Sequence, residues 1–135
     1  PGSYAGGWEE SMLSKYFSVQ QAAQRLPLIR KIVQDILEKG KALRTLLQSP
    51  DIKDRTAECL TLQEEMGTLI KELEELGCFY KDWNFEIGLV DFPALIHGEE
   101  VFLCWRSDEK NIRWYHPLED GYAGRKLIPE NLLEE

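Results

Sequence analysis

Five residues in the C-terminal half of this chain have side chains suited to chemistry: Asp91, Cys104, Glu109, His116 and Arg125. The first two sit in the run "VDFPALIHGEEVFLCW", which otherwise reads as a β-hairpin. If His97-Gly98 is its two-residue turn, Ile96 faces Glu99, and counting back along both strands places Asp91 opposite Cys104. A five-residue turn from Ser107 to Asn111 then sets Cys104 opposite Trp114, with His116 one diagonal step away. In that register Asp91, Cys104 and His116 share one face of a sheet, whereas a slip of one residue moves His116 to the other face. The following turn and tail add Glu109, Glu119, Asp120 and Arg125 near the same edge.

Three kinds of chemistry fit this set. Imidazole and carboxylate suit a borderline or hard divalent ion, so His116 with Asp91, Glu109 or Glu119 is a candidate metal site, and the thiol of Cys104 draws the choice toward zinc, with Asp91, Cys104 and His116 the ligands expected. Cys104 as a nucleophile with His116 as its base needs an exposed, acidified thiol, whereas a cysteine between Leu103 and Trp105 is expected to be a buried small hydrophobe. The third role is structural: Asp91 or Glu109 paired with Arg125, and His116 bonded to a backbone group. The aromatics Phe92, Phe102, Trp105, Trp114, Tyr115 and Tyr122 are dense enough to stack bases, but packing where helices meet the sheet accounts for them more simply. His97 is expected as an exposed turn residue.

The elements that must position these residues begin with two helices. Ala22, Leu26, Ile29, Val33, Ile36, Gly40, Leu43 and Leu47 recur at steps of three and four, an apolar heptad stripe. Ser18 with Gln21 three residues on is a capping-box pattern that starts the helix. Pro27 predicts a kink or a break, because its ring removes a donor and disfavours helical geometry at Leu26. Gly40, on the stripe itself, predicts close approach of another helix. "SPDIKD" is a turn, and from about residue 54 Cys59, Leu62, Met66, Leu69, Leu73 and Leu76 form a second stripe, ended by Gly77 as a C-terminal cap. A short connection between long helices predicts an antiparallel hairpin over about 18–77. Leu28, Ile32, Leu37, Leu46 and Ile70 widen the stripes, so the apolar surface needs cover from the sheet and from a second copy of the hairpin, giving a homodimer; a monomer with the sheet over both helices is the alternative.

After Gly77 the period becomes extended: "CFYKDW", "VDFPALI", "EVFLCWR" and "IRWYHPL" read as strands, and the tail from Glu119 wraps back over the body. The expected fold is therefore α+β, with a helical hairpin followed by an antiparallel sheet of three or four strands in one domain spanning 12–135. Residues 1–11, rich in Gly and Ser and ahead of Met12, read as a leader foreign to the natural chain or as a flexible arm carrying Trp8.

Composition bounds the partners. The chain has 135 residues, with 24 acidic against 16 basic side chains and a net charge of -8; its pI is about 4.9. That field repels nucleic acid and anionic lipid, and the basic residues are scattered among acids. Three cysteines without metal-motif or redox-motif spacing point to a reducing cytoplasm. No run approaches the roughly 18 apolar residues of a membrane span.

The motifs "YFSVQQAAQRLPLIRKIV", "LGCFYKDW", "GLVDFPA", "EVFLCWR", Glu109 and "WYHPLEDGYAGR" together resemble the prokaryotic family known as domain of unknown function 2203. The resemblance covers about residues 16–128. The family pattern maps onto Gly88 to Pro93, Leu103 to Trp105, Glu109, Tyr115 with His116, and Gly121 with Arg125. The chain departs from it at "RSDEKN", where the family turn usually contains a Gly, and at "FEI" before Gly88. The resemblance implies that function lies on the sheet face around Asp91, Cys104, Glu109, His116 and Arg125, and it implies no activity.

The function expected is a cytoplasmic binding or regulatory module whose polar pocket takes a divalent metal such as zinc. The alternatives are a small hydrolase using His116 with Asp91 or Glu109, and a helical scaffold for another protein.

Overall fold

The computed structural model describes residues 16–50 and 56–133. The reading of residues 1–11 and most of the "SPDIKD" turn lie outside the described residues. Helix α1 (Val19–Leu47) and helix α2 (Thr56–Glu75) precede strands β1 (Phe79–Tyr80), β2 (Leu89–Ile96), β3 (Glu99–Arg106), β4 (Trp114–Pro117) and β5 (Lys126–Leu127). A one-turn 3-10 helix (Tyr122–Gly124) precedes β5, and a four-residue helix α3 (Glu130–Leu133) follows it. The five strands form one antiparallel sheet in sequence order. The α+β class stands, but there are five strands rather than three or four. The fifth comes from the tail, whose two residues Lys126 and Leu127 carry no strand periodicity and are extended because they pair with Tyr115 and Trp114.

Helix α1 starts with the expected capping box. Gln21 N–H donates to Ser18 Oγ at 3.1 Å, and Ser18 N–H donates to Gln21 Oε1 at 3.0 Å. Pro27 does not break the helix, which runs unbroken for 29 residues. The proline ring and Ala23, whose carbonyl it leaves without a donor, are both exposed, so water can serve that carbonyl. Leu26 and Ile29 on the opposite face are buried and hold the turn in place. The stripe is as expected, except that Leu46 rather than Leu47 closes it; Leu47 is exposed.

Gly40 is a site of close approach, but the partner is Phe85 of the β1–β2 connection and not a helix. A Cβ on Gly40 would lie 2.4 Å from the Phe85 Cβ. Arg44 holds that connection by donating from Nη1 to the carbonyls of Asn84 (2.6 Å) and Phe85 (2.9 Å). Asp82 accepts backbone N–H bonds from Asn84, Glu86 and Ile87. Phe85 itself has φ of 56°.

Helix α2 ends as Gly77 predicts. Gly77 (φ 93°) donates to Glu74 O, and Cys78 donates to Leu73 O, the pair of bonds of a Schellman cap, with Leu73 and Cys78 both fully buried. The two helices pack on each other through Leu43, Leu46, Cys59 and Met66, and Lys39 pairs with Glu65.

Strand alternation divides the sheet into two faces. Val90, Phe92, Leu103 and Trp105 join Ala22, Ile29, Val33, Ile36 and Leu73 in the main core, so this face lies on the helices. The alternate residues, Asp91, Cys104 and His116 among them, therefore point away from the helices.

Candidate metal centre

The His97-Gly98 turn has two residues with positive φ, 53° and 80°, as a tight hairpin requires, and His97 is exposed. The resulting register pairs Ile96 with Glu99 and Asp91 with Cys104. In the next hairpin Cys104 pairs with Trp114 and Phe102 with His116, which places His116 diagonal to Cys104. The three side chains meet: one donor atom from each lies within 4.8 Å of the others, and all three residues are buried.

His116 is held at both nitrogens. Nδ1 lies 2.8 Å from the Pro117 carbonyl oxygen, which can only accept, so Nδ1 carries a proton. Nε2 lies 3.2 and 3.1 Å from the two oxygens of Asp91. A lone pair facing a carboxylate at that distance would be repulsive, so one proton lies between His116 and Asp91. Burial raises the Asp91 pKa above the usual carboxylate range, against the opposing charge of His116. Burial, together with the Asp91 charge, pushes the Cys104 thiol up to about 12, with Arg125 pulling the other way. A thiol so held is no ready nucleophile.

This is a donor set in the form metal sites use. A ligating histidine commonly gives its second N–H to a carbonyl, which directs the other nitrogen to the ion; here Pro117 fixes Nε2 toward Asp91 and Cys104. Zinc bond lengths of about 2.0–2.3 Å put tetrahedral ligands roughly 3.3–3.8 Å apart, so closing this cluster around an ion takes movements on the order of 1 Å. A cavity of about 380 Å³ opens beside the cluster, lined by Lys81, Phe102, Leu118, Glu119, Asp120 and Tyr122 among others.

Glu109 and Arg125 stand next to the cluster, on the far side of Cys104. Arg125 Nη2 donates to Glu109 Oε1 at 2.6 Å and to the Cys104 carbonyl at 3.1 Å. Glu109 Oε1 also accepts the Arg106 N–H at 2.7 Å. The guanidinium lies over the rings of Trp114 (4.9 Å) and Tyr122 (4.8 Å). Burial works against the Arg125 charge, but the Glu109 bond together with the charges of Cys104, Glu109 and Tyr122 outweighs it, and the pKa is raised. The five residues thus form two groups joined at Cys104: Asp91 with His116, and Arg125 with Glu109.

Lys81 was not singled out by sequence. Its N–H donates to Leu89 O, its Nζ lies 5.7 Å from the Phe102 ring centre, and its charge acts on Asp91. The signal was the period of two, since Phe79 pairs with Asp91 and Lys81 is two residues on. A two-residue strand is too short for that period to be read. Cys59 and Cys78 are buried and free, with the Cys78 thiol 3.4 Å from the Leu73 carbonyl oxygen, so they are packing residues.

Among the described residues no helix is long and apolar enough to cross a membrane. Neither a curated protein nor a solved structure matches the chain. The profile of the family described as "uncharacterized conserved protein (DUF2203)" matches residues 15–128, nearly the whole chain, and the protein belongs to that family.

Proposed function

We propose that the protein is a divalent-metal-binding module in which Asp91, Cys104 and His116 hold a zinc-class ion on the outer face of the sheet. The observation that carries this reading is the buried convergence of three different donors, with the His116 tautomer set by Pro117 so that Nε2 faces the other two. Three protein ligands beside a cavity leave a fourth position for water or a small ligand, the arrangement of reactive rather than purely structural zinc. Metal-assisted hydrolysis is the enzymatic form of this reading. A metal-free hydrolase fits less well, because both His116 nitrogens are engaged and none faces a substrate, while Glu109 is committed to Arg125.

The test is the metal content of the purified protein by elemental mass spectrometry, then titration of the stripped protein with zinc, manganese and iron. One equivalent of metal that is lost in His116→Ala and in the bulkier His116→Gln supports the site. No metal, and no thermal stabilisation by any of the three ions, rejects it.

The helices support a separate expectation. Lys39 beside Glu65, and Leu46 in one cluster with Cys59, support reading the two helices as an antiparallel hairpin. Beside them an apolar groove lined by Ala42, Leu46, Ala57 and Leu62 is of the kind a second copy's helices would cover in a homodimer, or another protein's in a scaffold. A molar mass twice that of the chain by light scattering supports the dimer. Three unpaired thiols suit a cytoplasmic location.

A further inference from the structure

Among the described residues two buried side-chain nitrogen or oxygen atoms have no hydrogen-bond partner, the Tyr80 hydroxyl and Arg125 Nε. A donor withdrawn from water without an acceptor is costly, and more so when charged, so each needs a reason. Tyr80 lies in the aromatic cluster with Trp83 and Phe85, on the sheet face opposite the metal centre. Arg125 stands beside the centre, bonded to the Cys104 carbonyl. Its side chain is 10% exposed, Nη2 is used by Glu109 and by the Cys104 carbonyl, and the guanidinium lies over two aromatic rings. The same guanidinium bears on the Cys104 sulfur. A group fixed on so many sides is preorganised, yet one of its N–H donors has no acceptor.

A neutral thiol is a weak acceptor; a metal-bound thiolate is a good one. We propose that Arg125 is a positioning residue of the metal centre, whose Nε–H is held ready to donate to the Cys104 sulfur when a divalent ion binds it as thiolate. This rests on the metal reading above. Glu109 has a defined part in it. An unpaired guanidinium beside Cys104 would repel the incoming cation, and the 2.6 Å bond that Nη2 makes to Glu109 offsets that charge while leaving Nε without a partner. Glu109 is itself held by the Arg106 N–H, so the support continues into the β3 backbone.

Cobalt(II) is the probe, because a cobalt–thiolate bond has its own charge-transfer band in the near ultraviolet. Arg125→Lys keeps the charge and removes the planar Nε–H. It should weaken cobalt binding about 10–100-fold, the usual effect of losing a hydrogen-bond partner of a metal ligand. It should also move the band to lower energy, because a hydrogen bond stabilises the sulfur lone pairs from which the electron leaves. An unmoved band in a folded Arg125→Lys variant overturns the proposal and leaves the metal site standing, even if the metal-free variant melts at lower temperature. Absence of any thiolate band in the wild-type protein removes the metal reading and this inference with it. The second measurement needs no variant. In the nitrogen–proton spectrum of the wild-type protein, one equivalent of zinc should shift the Arg125 Nε–H resonance downfield, and an unmoved resonance with zinc bound also overturns the proposal.

Discussion

If the proposed centre binds a metal, its proton count follows directly from the geometry of the three donors. In the metal-free protein the Cys104 thiol, pushed up to about 12, holds its proton at neutral pH, and a second proton lies between His116 Nε2 and Asp91. The Nδ1 proton stays with the Pro117 carbonyl whether or not metal is bound. An ion bound by carboxylate, thiolate and Nε2 therefore displaces two protons. Apparent zinc affinity should rise about 100-fold per pH unit while both protons are in place, since each displaced proton contributes a factor of about ten. In Cys104→Ser only the shared Asp91–His116 proton remains to be displaced, and the dependence should fall to about tenfold per unit. Titration calorimetry in buffers of different ionisation enthalpy measures the count directly. A count near two in the wild type and one in Cys104→Ser supports the arrangement. A count near zero would refute it, because no protonation state consistent with these distances lets three such ligands bind an ion without releasing a proton.

Other expectations test the scaffold and the centre separately. Gly40→Ala should destabilise the protein in urea titration: overpacking against Phe85, with the new Cβ 2.4 Å from Phe85 Cβ, costs about 1–3 kcal/mol and outweighs the roughly 1 kcal/mol gain in helix propensity. Gly67→Ala in α2, with nothing within 4 Å of the added carbon, should stabilise it by up to about 1 kcal/mol in the same assay. Ser18→Ala removes the α1 cap and should cost about 1 kcal/mol. Asp91 is raised in the folded state, so between its ordinary value and its folded value the native protein binds more protons than the unfolded one, and stability falls as pH rises through that window. Asp91→Asn should flatten this fall in metal-free protein, seen as melting temperature against pH, while abolishing metal stabilisation.

Much of this molecule follows from local rules. The α1 cap, the Schellman end at Gly77 and the shared face of Asp91, Cys104 and His116 were legible because each depends on residue type and counting over a few positions. With two turn lengths set, a period of two leaves no freedom in which side chains face each other. At Pro27 the break that the local penalty allows does not occur, because the burial of Leu26 and Ile29 outweighs that penalty. Gly40 announced close contact, but only the folded β1–β2 connection made Phe85 the neighbour. The place of Arg125 in the tail puts it near this edge, yet its position over Trp114 and Tyr122 depends on a tail strand that is extended only because β4 offers it partners. The burial of the three donors is likewise tertiary. Period and turn length say which face a side chain takes, whereas whether water reaches it depends on segments distant in sequence, here Lys81 and residues 118–122, closing over that face.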